Sequence, residues 1–230
     1  MKADVKHTSL LTIEGMRVEF PSRRGHVVAV ERLDLAVEPG EILGVVGESG
    51  AGKSTIGNAV IGLLEPPGEM TEGSILLKGD RIDDLDDSGK RKIRGARIGM
   101  IFQDPLTSLD PLQTIERQLI DTIQRHLNLP EAEARSRAVD LLDQVGIPDP
   151  SVRIAQYPHQ FSGGMRQRVV IALALCADPE LVSADEPTTA LDVSVQAQIL
   201  DLMKALCRDR QVGMILITHD MGVISETAER

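Results

Sequence analysis

A glycine-rich run that ends in lysine and serine is the stretch of this sequence whose spacing best predicts chemistry. It matches G-x-x-x-x-G-K-[ST], a phosphate-binding loop, and it directly follows the apolar run 42–46. In such a loop successive backbone N–H groups point at phosphate oxygens, and the following helix adds the positive end of its dipole. The residues predicted to bind a nucleoside triphosphate are Gly47, Glu48, Ser49, Gly50, Ala51, Gly52, Lys53, Ser54 and Thr55.

Two of these side chains have more specific expected roles. The ammonium group of Lys53 would neutralise the β- and γ-phosphates, and the hydroxyl of Ser54 would ligate Mg²⁺. A glycine-rich structural turn is the simpler interpretation, but the strand-loop-helix context disfavours it. The loop alone does not choose among kinases, GTPases and transport ATPases.

An apolar run that ends in two acids, residues 181–186, is the second chemical signal. It is typical of a buried parallel strand whose carboxyl end delivers carboxylates to a site. Asp185 is predicted to hold Mg²⁺, through water or through the Ser54 contact. Glu186 is predicted to polarise the attacking water, which needs a carboxylate near the γ-phosphate but off the metal. Two strand-end acids that cap the next helix are the alternative.

A third signal lies between these two, where Ser162, Gly163 and Gly164 precede a helix-like run over 169–176. The serine can cap a helix and the glycines expose N–H groups, so the segment is another anion-binding start. One domain has little use for two such sites around one nucleotide. We therefore expect this one to serve the ATP bound by a second copy, so that nucleotide is sandwiched between two subunits. Simple capping by Ser162 is the alternative.

Taken in order, these motifs resemble those of the ATP-binding subunit of an ABC transporter, over nearly the whole chain. The resemblance covers the Walker A loop 47–55, the signature 161–165, the Walker B strand 181–185 with Glu186, and the D-loop 190–192. It implies that Gln103, the Q-loop glutamine, senses the γ-phosphate and Mg²⁺ while coupling to a membrane partner. It also implies that Asp192 belongs to the nucleotide site and that His219, the switch histidine, contacts the γ-phosphate. Lys53, Gln103, Glu186 and His219 would then form the catalytic set.

Finer likeness narrows the family. The stretches 102–111, 157–168 and 184–193, with Met165 where many relatives carry glutamine, are similar to the dipeptide, oligopeptide and nickel importer ATPases. This implies uptake of peptides or a related small solute, with a second ATPase subunit, integral permeases and, indirectly, an extracytoplasmic solute-binding protein as partners. The chain would then lie on the cytoplasmic face of the inner membrane, held peripherally through the permeases.

Three departures from this pattern lead to expectations of their own. The segment before the loop has no aromatic residue to stack on adenine, so Arg24 would stack through its guanidinium plane, or Phe20 would reach in. Ser183 places a hydroxyl in a strand position that is usually apolar, which predicts a slightly weaker core. The chain ends at Arg230, sooner after His219 than in relatives of this branch, which suggests a truncated piece or half of a double ATPase.

Composition sets further limits. The net charge of −10 argues against nucleic acid as the main partner. The basic residues within 90–97 are predicted to form a solvated face rather than a lipid or phosphate contact. Two cysteines without metal-like spacing predict neither a disulfide scaffold nor a zinc site, and no apolar stretch approaches the roughly twenty residues of a membrane helix. A soluble ABC ATPase that acts on DNA or ribosomes is the rival function, disfavoured by the acidic charge and the lack of a coiled-coil insertion.

The elements that must position these groups can be predicted from the periodicity of the sequence. Alternation over 10–20 and 26–37 predicts antiparallel strands, glycines over 68–73 and 78–80 punctuate further short strands, and apolar residues at helical spacing over 114–145 predict a helical lobe. We predict an α/β P-loop NTPase core, mainly a parallel sheet flanked by helices, with an N-terminal antiparallel β subdomain. One ABC ATPase domain would comprise the β subdomain and Walker A core (1–103), an inserted helical subdomain (104–165) and the Walker B and switch-histidine core (166–230).

Overall fold

Two four-stranded sheets form the framework of the chain, described by a computed structural model over residues 9–23, 25–48, 50–189 and 191–230. The first sheet is antiparallel and has the order β2-β1-β4-β5. Its strands are β1 (Leu11–Ser22), β2 (Gly25–Val37), β4 (Glu69–Leu77) and β5 (Asp80–Arg81). The prediction of antiparallel strands over 10–20 and 26–37 is confirmed. Arg24, Ser49 and Ala190 lie outside the described residues.

The second sheet is parallel throughout and has the order β3-β8-β7-β6. Its strands are β3 (Ile42–Val46), β6 (Ile98–Ile101), β7 (Leu181–Asp185) and β8 (Gly213–Thr218). Strands β7 and β8 are buried almost along their whole length, which explains why they read as continuous apolar runs in the sequence. Because the strands are parallel, the residues that follow them meet at one edge of the sheet.

Helices flank and connect the strands. They are α1 (Lys53–Val60), α2 (Asp87–Ile93), α3 (Pro105–Ser108), α4 (Ile115–Leu127), α5 (Glu131–Gln144), α6 (Pro150–Arg153), α7 (Gly163–Leu175), α8 (Val193–Arg210) and α9 (Met221–Thr227), with a 3₁₀ turn at Pro158–Gln160. Three residues of the basic run, Lys90, Arg91 and Lys92, lie in the last turn of α2, where cations interact favourably with the negative end of the helix dipole. The P-loop NTPase fold class with its antiparallel β portion is confirmed.

The helical prediction over 114–145 corresponds to the pair α4 and α5. Thr114 caps α4 by accepting a hydrogen bond from the Arg117 N–H at 3.3 Å, and Asn128 ends it in a left-handed conformation with φ 51°. The apolar side chains of α4 lie on one face and are buried in the larger hydrophobic core together with α5 and α7. Each buried Ile or Leu there contributes about 1.5–3 kcal/mol. The lobe therefore owes its stability to packing rather than to helix propensity.

The prediction that the glycines over 68–73 separate short strands was wrong. The glycines at 68–73 suggested a break between strands, but β4 runs through Glu69–Leu77. Gly73 has φ 92°, and a Cβ placed on it would lie 2.5 Å from the Glu14 carbonyl oxygen. It lies opposite the register shift of β1 between Glu14 and Arg17, so this glycine permits a close approach of two strands rather than a turn.

The remaining sequence expectations for the fold concern cysteine and the membrane. Cys176 and Cys207 are free and buried, and burial raises the pKa of each thiol to about 12. They act as small apolar core residues and not as reactive thiolates. Within the ranges that the structure describes, no helix is long and apolar enough to cross a membrane.

Candidate functional site

The phosphate-binding loop lies between β3 and α1, as its sequence predicts. Helix α1 begins at Lys53, and Gly52 precedes it in a left-handed conformation with φ 84°. A Cβ placed on Gly52 would lie 2.3 Å from the Ala29 carbonyl oxygen, so strand β2 runs directly over the loop. Glycine is required at this position for both its conformation and the close approach. Ser49 of the predicted loop lies outside the described residues.

The Lys53 side chain is folded back onto the loop. It is only 7% exposed, and its Nζ donates to the Gly47 carbonyl oxygen at 2.8 Å and to the Glu48 carbonyl oxygen at 2.7 Å. Two carbonyl dipoles therefore solvate the ammonium group at the centre of the loop. An anion placed over the loop would offer this cation stronger charge-assisted hydrogen bonds.

Glu186 is the centre of a hydrogen-bonded network at the carboxyl edge of the parallel sheet. Gln103 Nε2 and Thr189 Oγ1 each donate to Glu186 Oε2 at 2.9 Å, and His219 Nδ1 lies 2.9 Å from Glu186 Oε1. The backbone of Glu186 has φ 46°, and its N–H donates to the Ile217 carbonyl oxygen at 2.8 Å. Three separate segments of the chain thus meet on one carboxylate.

This network keeps Glu186 ionised. Burial raises the pKa of the carboxyl group, but the hydrogen bonds of His219 and Thr189 and the electrostatic interactions with His219 and Lys53 outweigh it, so the pKa lies below its usual value. The side chain is therefore a carboxylate at neutral pH, available as a hydrogen-bond acceptor for water.

The neighbouring acid, Asp185, lies in a contrasting environment. Burial raises the pKa of Asp185 above its usual value, although the Ser54 hydroxyl and the charge of Lys53 partly oppose this. Its Oδ1 is buried and has no hydrogen-bond partner among the described residues. An unpartnered carboxylate oxygen beside a serine hydroxyl fits a hard cation such as Mg²⁺, which prefers oxygen ligands.

A cleft of about 520 Å³ joins these groups, and we call it the phosphate cleft. Its lining residues are Ala29, Gly50, Gly52, Lys53, Ser54, Thr55, Gln103, Glu186, Thr189 and His219. Sequence reasoning missed Ala29 and Thr189. The signal for Thr189 was available, since a hydroxyl three residues after Glu186 in a turn can reach back to it. Nothing local in the sequence points to Ala29, because its place depends on the packing of β2 over the loop.

The signature segment lies elsewhere. Ser162 caps α7 by accepting from the Met165 N–H at 3.3 Å, and a Cβ placed on Gly164 would lie 2.6 Å from Val195 Cγ1. Of the described residues that line the phosphate cleft, none comes from Ser162, Gly163 or Gly164. The structure thus brings together Gln103, Glu186, His219 and the loop, and leaves the signature packed on the start of α8.

Asp192 also has a local role. Its carboxylate accepts from the Val195 N–H at 3.1 Å and from the Ser194 hydroxyl at 2.8 Å, so it caps α8. These hydrogen bonds hold the pKa of Asp192 below its usual value. Within the described chain, Asp192 does not line the phosphate cleft. It lies close to the signature segment, since Leu191 Cδ2 would be 3.8 Å from a Cβ on Gly163.

Arg24 and Phe20 are the two residues expected to stack on adenine. Arg24 lies outside the described residues. Phe20, the alternative, is half-buried at the end of β1, and its Cε1 would be 2.5 Å from a Cβ on Gly68. Its ring packs on that glycine and on the smaller hydrophobic core around β1, β2 and α1.

Comparison with known proteins agrees with this geometry. A protein-family profile described as "ABC transporter" matches residues 30–189. The chain is 46% identical to the oligopeptide transport ATP-binding protein OppD of Bacillus subtilis over 98% of its own length and 63% of that protein. It is 48% identical to the dipeptide transport ATP-binding protein DppD of the same organism, over 96% of its own length and 66% of that protein. It thus spans about two thirds of the length of these relatives.

A solved structure extends the likeness to three dimensions. The dimeric post-hydrolysis state of the ATP-binding cassette MJ0796, bound to ADP and Pi, superposes with a TM-score of 0.81 at 30% identity. The match covers 93% of this chain and 89% of that one. With the fold and the phosphate cleft in place, these matches show that the chain belongs to the ABC transporter family.

Proposed function

We propose that this chain is the ATP-binding and hydrolysing subunit of an ABC importer for peptides or a related small solute such as nickel. One observation supports ATP hydrolysis above the others. The ionised Glu186 lies in the same cleft as the buried ammonium group of Lys53 and beside the Asp185–Ser54 pair. A carboxylate for water, a cation for phosphate and oxygen ligands for a metal are the parts that phosphoryl transfer to water needs.

The residues divide these tasks by position. Loop N–H groups and Lys53 would bind the phosphates of ATP, and Glu186 would accept a hydrogen bond from the attacking water. Ser54, Asp185 and Gln103 would hold Mg²⁺, which neutralises charge on the phosphate oxygens when bound. Within the described ranges no group of three His, Cys, Asp or Glu side chains could hold a metal. A site with few protein ligands is compatible with Mg²⁺, because this ion keeps several of its water molecules and is also coordinated by the phosphates of the substrate.

The contacts of Glu186 give the cycle a defined starting point. Gln103 and His219 both hold its carboxylate, yet each has a second expected partner, the metal or the γ-phosphate. Binding of ATP would draw these two side chains away from Glu186 and leave an oxygen free to accept from water. His219 would then stabilise the negative charge that develops on the phosphate.

Closure of a dimer completes the proposal. Ser162, Gly163 and Gly164 of one subunit would bind the ATP held in the phosphate cleft of a second ATPase subunit, and Asp192 would lie at the same interface. We further propose the division at 104–165, with the helices of that segment turning when nucleotide binds. This motion would be transmitted to integral permeases that receive solute from an extracytoplasmic binding protein. The chain would lie on the cytoplasmic face of the inner membrane, and nucleic acid has no part in the cycle.

The likeness to OppD and DppD favours a peptide as solute, and the transport partners are inferred from what those relatives are named for. The rival function is a soluble ABC ATPase acting on DNA or ribosomes. Purification from its own host distinguishes them. Recovery with integral permeases supports import, and recovery with ribosomes or DNA supports the rival.

The test of ATP hydrolysis is the substitution Glu186→Gln. We expect ATP binding to persist and turnover to fall to less than about a tenth of the wild-type rate, because the amide accepts a hydrogen bond from water less well than the carboxylate. Glu65→Gln is the matched control, since that side chain is exposed and does not line the phosphate cleft. Retention of more than a tenth of the rate in Glu186→Gln would contradict the role of this residue.

A further inference from the structure

Thr189 makes a contact with the central carboxylate that differs in kind from the other two. Its Oγ1 donates to Glu186 Oε2 at 2.9 Å, and its backbone N–H donates to the Glu186 carbonyl oxygen at 3.3 Å. The two residues are three positions apart in one turn. Gln103 and His219 reach Glu186 from 83 and 33 residues away, at the ends of other strands.

That difference decides which contact survives when nucleotide binds. Gln103 and His219 themselves contact Glu186 through side-chain atoms alone, which can turn toward a bound nucleotide, whereas Thr189 is also tied to Glu186 by its own backbone N–H in the same turn. Since Gln103 and Thr189 share Oε2, departure of Gln103 would leave this oxygen held by the threonine alone. Departure of His219 would free Oε1. The carboxylate would then have one anchored oxygen and one available oxygen.

We propose that Thr189 is a positioning residue for ATP hydrolysis, whose hydroxyl anchors Oε2 of Glu186 so that Oε1 faces the attacking water. The inference rests on the proposed function of Glu186. An unanchored glutamate rotates about its side-chain torsions, and a displacement of a reacting group by about 1 Å can cost up to a hundredfold in rate. Thr189 lines the phosphate cleft, so its hydroxyl is in place before ATP arrives.

The test compares Thr189→Val, which removes the hydroxyl at nearly constant shape, with Thr189→Ser, which keeps it. We expect Thr189→Val to lower kcat about tenfold with KM for ATP and the melting temperature unchanged, and Thr189→Ser to stay within about twofold of wild type. Thr188→Val is the matched control. Thr188 is buried beside it, and within the described chain its side chain makes no hydrogen bond to Glu186.

Combining Thr189→Val with Glu186→Gln tests whether Thr189 acts through the Glu186 carboxylate or in some other way. In the Glu186→Gln background, Thr189→Val should cause no further loss of single-turnover rate and should leave the ATP-dependent dimer intact, as measured by light scattering. Equal kcat for wild type and Thr189→Val would overturn the inference, as would equal loss in Val and Ser variants, a raised KM, or a lost dimer. Absence of turnover in the wild type would instead overturn the proposed function and this inference with it.

Discussion

The phosphate cleft and the signature segment each lie at the start of a helix, but they differ in how their polar side chains are used. In the cleft, the side chains of Gln103, Thr189 and His219 all contact Glu186, and among the described residues Asp185 Oδ1 has no hydrogen-bond partner. In the signature segment, Ser162 is used within its own helix and its glycines pack near α8. One region brings its side chains together from distant parts of a single chain, and the other uses its residues for local capping and packing.

This contrast explains why the phosphate loop before α1 and the signature segment before α7 need different evidence for a role in binding ATP. Lys53, Glu186 and His219 converge because their strands are parallel neighbours, so their proximity follows from the sheet. The signature segment follows no strand of that sheet. A role for it in binding ATP depends on a second copy, and the likeness to a dimeric cassette bound to ADP and Pi is consistent with one.

The largest expected effect tests that role directly. Ser162→Asp keeps an oxygen that can cap α7 but adds a negative charge, whereas Ser162→Arg removes the cap. If the segment meets the ATP of a second subunit, both should lower turnover more than tenfold, because Asp repels the γ-phosphate and Arg blocks the approach. ATP binding to the monomer should change less than about twofold.

Light scattering of these variants in the Glu186→Gln background, in Mg²⁺-free ATP, measures dimer formation. If Ser162→Asp forms the dimer as well as the parent and only Ser162→Arg loses it, the effect of the arginine would come from the lost helix cap and its size. The signature segment would then be purely structural.

A smaller effect concerns stability at the cleft. Asp185→Asn removes a partly buried charge at nearly constant shape, so the metal-free protein should gain up to about 1 kcal/mol at pH 7, a small amount because solvent screens a side chain that is only partly buried. The pKa of Asp185 is raised in the folded state, so its charge destabilises the fold above that pKa and the penalty disappears as pH falls below the unfolded value. The gain should therefore shrink toward acid.

Thermal unfolding of Asp185→Asn in a chelator from pH 4 to pH 8 checks this sign, with ATPase activity expected to be lost in the same variant. Glu226→Gln, an exposed acid on α9, is the control. A gain that grows toward acid would contradict the assignment of burial as the main cause.

The smallest expected effect lies beneath the cleft. The Ser183 hydroxyl on β7 is buried and, in the part of the chain described, has no hydrogen-bond partner. Ser183→Ala should therefore stabilise the protein by about 0.5–1 kcal/mol without changing turnover. Denaturant unfolding measures the gain, and Ser225→Ala, which removes an exposed hydroxyl bonded to the Gly222 carbonyl oxygen, is the control. Destabilisation by Ser183→Ala would show that this hydroxyl has a partner after all.

Much of this arrangement was predictable from local patterns. The spacing of glycines and Lys53, the acids after β7 and the histidine after β8 each identify a strand end, and parallel pairing places strand ends together. The bounds of strand β7 followed from its apolar run, and the outer bounds of the pair α4 and α5 followed from helical periodicity over 114–145, whereas the break between these two helices was not predicted. The glycines near Gly73 misled, because a glycine that permits close packing looks in sequence like one that makes a turn.

What the sequence by itself determined is the set of chemical groups and the order in which the chain presents them: a phosphate loop, an amide, an acid pair and a histidine. Their local chemistry follows from residue type and neighbours within a few positions. Only the tertiary structure decided that Gln103, Thr189 and His219 hold the same carboxylate, that Asp185 Oδ1 has no hydrogen-bond partner among the described residues, and that Ala29 packs over Gly52. Distances between side chains far apart in the chain depend on strand order and packing, which no local pattern encodes.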